Sequence, residues 1–288
     1  MTPSLNPDLG EFVSTIYSRA FKPQKVQAKQ LATELKLIEK DIGADLGVDP
    51  QILRDVQNFL LALSAVMLRK PQTTLHPPTI IVNRQAAVDI SNPLAPHPIS
   101  LALVRLQTES KRPEGVGYEA HVRGEAALAA ALITSLRRCC PGEDIFVATP
   151  HRIQRQAVRA ALGQAQLTDL VREMEDLALE QSPERHPLGT VTVDTIERLQ
   201  GSEAGFVICL FSLPLQAVPD LPFLLERRRL NVAISRAKTL CILIASSVVL
   251  RPPVSVLAKD ETAKGYTFLR AFEDRAWSST ITLDVDKF

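Results

Sequence analysis

Two short segments hold most of the side chains that could do chemistry. One runs Asp194-Thr195-Ile196-Glu197-Arg198-Leu199-Gln200-Gly201-Ser202-Glu203-Ala204. The other runs Arg227-Arg228-Arg229-Leu230-Asn231-Val232-Ala233-Ile234-Ser235-Arg236-Ala237-Lys238. Glu226 to Lys238 holds five basic residues against one acid, in a chain whose 33 Lys+Arg and 32 Asp+Glu leave a formal charge of +1. A local excess of that kind suits a phosphate ligand, because a guanidinium is always charged and presents a planar fork of donors. Thr149 and Thr195 each follow an apolar, strand-like run. A small hydroxyl there can bond a backbone phosphate without reading base identity. Arg152, Arg155 and Arg159 fall at i, i+3 and i+7, on one face of the next helix. That face reads either as a phosphate-contacting strip or as an ordinary solvated surface. Arg227 and Arg228 read as surface charge beside Glu226.

Other chemistries lack their residues. Ser4, Ser202 and Ser235 have no His and Asp arranged around them, and His121 and His186 belong to no constellation, so nucleophilic catalysis has no support. Cys139, Cys140, Cys209 and Cys241 form no C-x-x-C pair and have no His at zinc-ligand spacing; they read as buried, reduced thiols, and no metal site is expected. None of the 12 glycines is followed by Lys, so the phosphate-cradling G-x-x-x-x-G-K-[ST] loop does not occur in the sequence. Asp284-Val285-Asp286 has its acids split by an apolar residue and does not read as a Mg²⁺ element.

The elements that must position these residues follow from periodicity. Residues 7–23, Lys25–Ile42 and 49–70 carry apolar positions at helical spacing. From Thr79 the period changes. Short apolar runs at Thr79–Val82, Ile99–Val104, Ile145–Ala148, Thr190–Val193, Phe206–Phe211 and Leu240–Ile244 alternate with helices at about Glu119–Arg138, up to Leu162 with Gly163 as its stop, and Leu167–Glu180. Strands that are apolar on both faces belong to a parallel sheet. The expected fold is therefore α/β: a doubly wound, mostly parallel sheet with an N-terminal helical segment. Three parts are expected, 1–77 helical, 78–250 α/β and 251–288 a C-terminal helix and tail. In such sheets ligands bind beyond the carboxyl ends of strands, which singles out the loops after Ala148, Val193 and Phe211.

Composition agrees with a packed globule, since 45% of residues are hydrophobic and 23% charged. Met1 to Pro7 has neither a basic n-region nor an apolar h-region, so it does not read as a signal peptide. The longest apolar stretch, Leu240–Leu250, is broken by Ser246 and Ser247 and falls short of a membrane span. A soluble, intracellular protein with no membrane partner is expected.

Val193 to Glu203 match V-D-[ST]-x-x-x-x-Q-G-x-E, and Arg229 to Lys238 fit R-[RL]-N-V-A-[IL]-[ST]-R-A-[KR]. These patterns resemble motifs V and VI of superfamily-1 helicases, in the superfamily 1B group that includes the nonsense-mediated-decay helicase and the nuclease–helicase of Okazaki-fragment maturation. Thr149-Pro150-His151-Arg152-Ile153-Gln154 is similar to that group's T-P-Y-x-x-Q junction, with His151 where Tyr is usual. Asn6 to Phe21 resembles the segment after the group's Y-R-x-x-P element, without the Tyr-Arg itself. The likeness spans roughly Asn6–Phe21 and Leu101–Ser246 and leaves Lys25–Lys70 outside it, as a helical insertion.

The resemblance implies the second RecA-like domain of a P-loop NTPase whose ATP lies between two such domains. The first domain would bring the phosphate loop and the acidic Mg²⁺ element, so ATP and Mg²⁺ are implied only in its company. Arg236 is implied as the arginine finger, a role worth roughly 10³–10⁵ in rate. Gln200, Gly201 and Glu203 would face ATP, with Arg229 and Asn231 supporting the same surface. Thr149, His151, Arg152, Thr195 and Ser202 would contact nucleic acid. The implied partners are single-stranded DNA or RNA and a first RecA-like domain, and the implied activity is ATP-driven helicase action, with little hydrolysis by this domain alone. The alternative is a non-enzymatic nucleic-acid-binding or scaffold protein that keeps a degenerate helicase domain.

Overall fold

Alternation along the strands dictates a two-faced sheet. In Leu240-Cys241-Ile242-Leu243-Ile244-Ala245 every residue is buried, yet Leu240, Ile242 and Ile244 join one apolar cluster and Cys241, Leu243 and Ala245 the other. Successive strand side chains point to opposite faces, so a strand buried on both sides must be covered twice. The computed structural model describes residues 9, 12, 28–41, 46–67, 80–83, 86–88, 100–177, 188–199 and 201–288.

Chain order is α1 (Ala28–Leu35), α2 (Pro50–Met67), β1 (Ile80–Asn83), β2 (Ala86–Val88), β3 (Leu101–Glu109), α3 (Tyr118–Cys139), β4 (Ile145–Thr149), α4 (Arg152–Leu177), β5 (Val191–Thr195), β6 (Ala204–Phe211), α5 (Arg227–Ile234), β7 (Ala237–Ser246), α6 (Asp260–Arg275) and β8 (Trp277–Asp284). Short helical turns fill several connections, among them Ile196–Leu199 and Leu221–Leu224. Six strands form one sheet in the order β5-β4-β6-β7-β3-β8, and every pairing is parallel. Ile145 faces Val191 on one side and Phe206 on the other, which sets the register at the centre. The chain winds outward from β4 to β5 and then back past β4 to β6, so the winding reverses between β4 and β6. This is the doubly wound α/β architecture of a RecA-like domain.

Helices α1 to α4 pack into the cluster on one face; α5, α6 and the Leu221–Leu224 turn pack into the other, where Leu9 and Phe12 are also buried. Phe12 meets the rings of Phe268 and Phe272 at 4.9 and 5.7 Å. Gly265 of α6 lets that helix sit directly on the chain before α5, because an added Cβ would overlap the Leu225 carbonyl.

Several expectations change. The strand run at Thr79–Val82 becomes β1, which among the described residues pairs antiparallel with β2 and lies outside the main sheet. The expected stop at Gly163 is absent: α4 runs through it as one helix from Arg152 to Leu177. Gly163 has open space around it, and a single glycine costs only about 1 kcal/mol inside a helix. The segment after 250 adds an edge strand, β8, paired with β3 along Ala102↔Trp277 to Glu109↔Asp284. Its Ser and Thr residues had hidden the alternation that buries Trp277, Ile281 and Leu283. The helical segment before β1 is continuous with the core. Leu31, Leu35, Ile52, Val56, Leu60 and Leu63 pack into the same cluster as α3, and Phe59 lies 5.2 Å from the Trp277 ring. The helix expected over 7–23 lies, Leu9 and Phe12 apart, outside the described residues.

Candidate functional site

The loop leaving β4 carries Thr149 and His151. Thr149 is fully buried, and its hydroxyl donates to the Asp194 carbonyl of the neighbouring strand at 3.2 Å. The His151 ring stacks on Phe223 at 4.8 Å and 20°. The Arg229 guanidinium sits 3.6 Å from the centroid of that same ring. Two groups this close to one centroid must take opposite faces, so Phe223 is clamped between an imidazole and a cation, which is favourable for the ring quadrupole. Burial lowers the His151 pKa from its ordinary value, and the nearby Arg229 charge lowers it further. Arg229 is also ion-paired with two acids, Glu226 at 2.7 Å and Glu197 at 2.8 Å.

The arginine strip of α4 divides. Arg155 turns inward onto Asp194 at 2.9 Å, and Arg159 donates twice to the Val193 carbonyl, at 3.1 and 2.7 Å. Burial pushes the Asp194 carboxyl up, but the hydrogen bonds from Arg155 and the Thr195 N–H, with the charges of Arg155 and Arg198, outweigh it and hold its pKa below the usual value. These two arginines tie α4 to the edge strand β5. Arg152 stays exposed, and Thr195 is half-buried at the carboxyl end of β5.

A second cluster lies at the other end of α5. Arg236 follows that helix and donates to three neutral acceptors: the Val232 carbonyl at 3.1 Å, the Ser202 carbonyl at 3.4 Å and the Ser235 hydroxyl at 3.2 Å. No ion pair to Arg236 is present among the described residues. Its backbone carbonyl accepts from Ala204, which locks the start of β6 against it. Gly201 has φ +91° with nothing within 4 Å of a virtual Cβ, a left-handed turn that favours glycine. Ser202 is exposed, and Glu203 lies 4.0 Å from Lys238. Asn231 is buried within α5. Gln200 lies outside the described residues.

The candidate residues therefore fall into two groups. Thr149, His151, Arg152 and Thr195 gather at the carboxyl ends of β4 and β5, joined by Arg229. Gly201, Ser202, Glu203 and Arg236 gather at the amino ends of β6 and β7, away from the strand ends singled out by the carboxyl-end rule. Ser202, grouped with the nucleic-acid contacts by resemblance, lies in the Arg236 group. Phe223 and Glu197 escaped sequence reasoning; Glu226, read as the acid beside Arg227 and Arg228, pairs with Arg229. Phe223 sits in an irregular stretch with Pro214, Pro219 and Pro222, where no period marks its orientation.

Similarity to known proteins agrees with this architecture. The profile of a family described as an AAA domain matches residues 72–248, more than half of the chain. The chain belongs to that AAA-domain family. It is also 30% identical over 123 residues to the putative helicase MOV-10 of Gallus gallus, a match that covers 40% of this chain and 11% of that protein. The chain thus spans about a tenth of that relative's length. Together the two similarities support a helicase-family domain. Among the described residues of this AAA domain, no group of three or more His, Cys, Asp and Glu could hold a metal ion. No helix there is long and apolar enough to cross a membrane.

Proposed function

We propose that this AAA domain is the second RecA-like half of an ATP-dependent superfamily-1 helicase. In this reading it delivers Arg236 to an ATP held against a first RecA-like domain and grips single-stranded DNA or RNA over the ends of β4 and β5. One observation carries the reading: among the described residues Arg236 is held by neutral acceptors, whereas Arg229 and Arg155 are each paired with carboxylates. An uncompensated guanidinium on a rigid helix end is pre-placed for a developing phosphate charge. The residues beside it fit a nucleotide. Gly201 leaves open space where backbone can approach phosphate, and Glu203 offers an acceptor to a ribose hydroxyl or an ordering partner for Lys238. Bound ATP with Mg²⁺ would supply the phosphoryl group whose transfer to water drives the cycle.

On the strand-binding side, Arg152 supplies an exposed charge. The Thr149 hydroxyl already donates to Asp194, so its contact with a phosphate requires that bond to be exchanged. Arg229 acts in this reading by clamping Phe223 and His151 beneath the loop rather than by touching ATP.

The test has two arms. Fluorescence anisotropy of labelled oligo-dT and oligo-U across a salt series should show affinity falling steeply with salt, because phosphate contacts release counterions. Absence of binding, or a flat salt response, overturns the strand-binding half. ATPase measured with a first RecA-like domain present should collapse in Arg236→Ala and stay low in Arg236→Lys, which lacks the fork. Salt-sensitive binding with an ATPase indifferent to Arg236 would favour the scaffold alternative.

A further inference from the structure

Beneath the loop after β4 runs a chain of buried polar groups that the site above does not use. Glu125 of α3 is fully buried. It accepts from the Ser212 hydroxyl at 2.6 Å, from the Gln154 amide at 2.7 Å and from the Ser212 backbone N–H. Gln154, itself buried in the first turn of α4, turns its other amide atom back to accept from the His151 N–H at 3.2 Å. On the far side Ser212 lies 2.9 Å from His121 Nε2, and His121 Nδ1 lies 3.2 Å from the Thr108 hydroxyl. Leu213, next to Ser212, is pinned to the end of β7 by Ser246, which accepts from its N–H at 3.0 Å and donates to its carbonyl at 2.7 Å.

With Glu125 ionised, the donors run in one sense. The Ser212 hydroxyl donates to Glu125, so it must accept from His121 Nε2–H. Nδ1 is then left as acceptor for Thr108. Burial lowers the His121 pKa to about 4, which keeps the ring neutral as this order requires. The chain joins the ends of β3, β4 and β6, on both sides of the winding reversal. Buried polar networks whose members are all satisfied rigidify the elements they join.

We infer that Glu125 is a positioning residue for the loop Thr149–His151: acting through Gln154, it fixes the backbone from which Thr149, His151 and Arg152 meet a nucleic-acid strand. The inference rests on the strand-binding reading for its purpose but not for its geometry. Gln154 cannot serve both neighbours without Glu125. With its oxygen held by the Ser212 hydroxyl and N–H, an amide at 125 turns its NH2 toward Gln154 and sets donor against donor. Gln154 can then flip to bond residue 125, but it loses the His151 N–H; or it can keep His151 and lose residue 125.

The logic predicts a reciprocal rescue. Glu125→Gln alone breaks one bond, and Gln154→Glu alone forces two carboxyl groups together. The double variant restores every bond. Gln at 125 accepts from Ser212 and donates to Glu at 154, whose second oxygen accepts from His151.

Amide hydrogen exchange at His151 and oligo-dT affinity should be measured in the wild-type chain, both single variants and the double variant, with melting followed in parallel. Exchange at His151 should rise roughly tenfold in Glu125→Gln, the loss of about one hydrogen bond, and return in the double variant. Oligo-dT affinity should weaken several-fold and recover in step. Unchanged exchange in the single variants, or no rescue in the double variant, overturns the tether. Exchange that rises and is rescued while affinity stays constant overturns its role in strand binding. A wild-type chain that binds no strand instead defeats the proposed function, and the exchange arm still decides the geometry.

Discussion

The two ends of α5 make opposite use of the same side chain. At the first end Arg229 touches two carboxylates and covers an aromatic face, with only 21% of its side chain exposed. At the last end Arg236 bonds a backbone carbonyl of its own helix, a second one before β6 and a serine hydroxyl. The first guanidinium has its charge balanced by acids on two segments and lies against the ring of a third. The second is oriented by acceptors that leave its charge intact. Neutral acceptors can fix a guanidinium's direction, whereas carboxylates fix it and cancel it. The contrast separates a residue that stabilises the surface from one that offers charge to a ligand.

The largest effect expected is at the open end. With a first RecA-like domain present, Arg236→Ala should lower ATP turnover by about 10³-fold or more, while thermal melting of the chain stays where it was. Equal damage to melting would place Arg236 among the structural residues and erase the distinction.

Arg229→Ala should do the reverse. It removes two ion pairs and a cation–π contact and leaves Glu197 and Glu226 facing each other, so stability should drop by about 2 kcal/mol in denaturant titration. Turnover per folded molecule should change far less than for Arg236→Ala. A stable Arg229→Ala protein without ATPase activity would show that both ends serve the nucleotide.

A third test concerns the layer beneath the closed end. Burial pushes the Glu125 pKa up from 4.5 to about 7, against the pull of its hydrogen bonds from Ser212 and Gln154. Between those values the folded chain keeps a proton that the unfolded chain has lost, so this group lowers stability as pH rises. His121 is shifted the other way, from 6.5 to about 4. It lowers stability as pH falls through that window, because the unfolded chain gains a proton that the folded one refuses. In the wild type the two trends oppose each other from about pH 4.5 to 6.5. Glu125→Gln removes the first, so its stability relative to wild type should climb as pH rises from 4.5 to 7, by at most about 1.4 kcal/mol per unit. Parallel pH profiles for the two proteins would contradict the shifted carboxyl.

The smallest effect belongs to Arg152, the member of the α4 strip that does not bond to β5. Arg152→Ala should weaken strand binding a few-fold and lower the salt slope by about one, with no change in melting. If Arg155→Ala did the same without loss of stability, the ion pair to Asp194 would not be the structural tie described here.

Much of this architecture was legible in residue order. The apolar runs at 145–148, 206–211 and 240–244 became the central strands because they are buried on both faces, so no partner was needed to recognise them. The edges were harder. The outer strand β8 alternates Ser and Thr with apolar residues, a pattern a solvated loop shares, and only its pairing with β3 makes it a strand. The run at Ile80 has strand character, yet among the described residues it pairs with the adjacent β2 and not with the main sheet. Among the candidate site residues, Arg236 and Gly201 could be named from motif likeness. The company of Arg155 and Arg159 could not, since Asp194 and Val193 lie more than thirty residues away in the chain.

Residue types and spacing thus settle what is local: the central strands, the basic segment before β7, and the absence of a Gly-Lys phosphate loop within these 288 residues. Packing decides what each charge is for. Spacing makes Arg152, Arg155 and Arg159 equivalent, but in the folded chain Arg155 and Arg159 bond to β5 and Arg152 does not. Spacing likewise leaves Glu125 one more acid on a helix, and burial with Ser212 and Gln154 makes it the centre of a network. The reason is physical: periodicity encodes which face of an element turns inward, but a charged group's energy depends on the partner it meets across the fold.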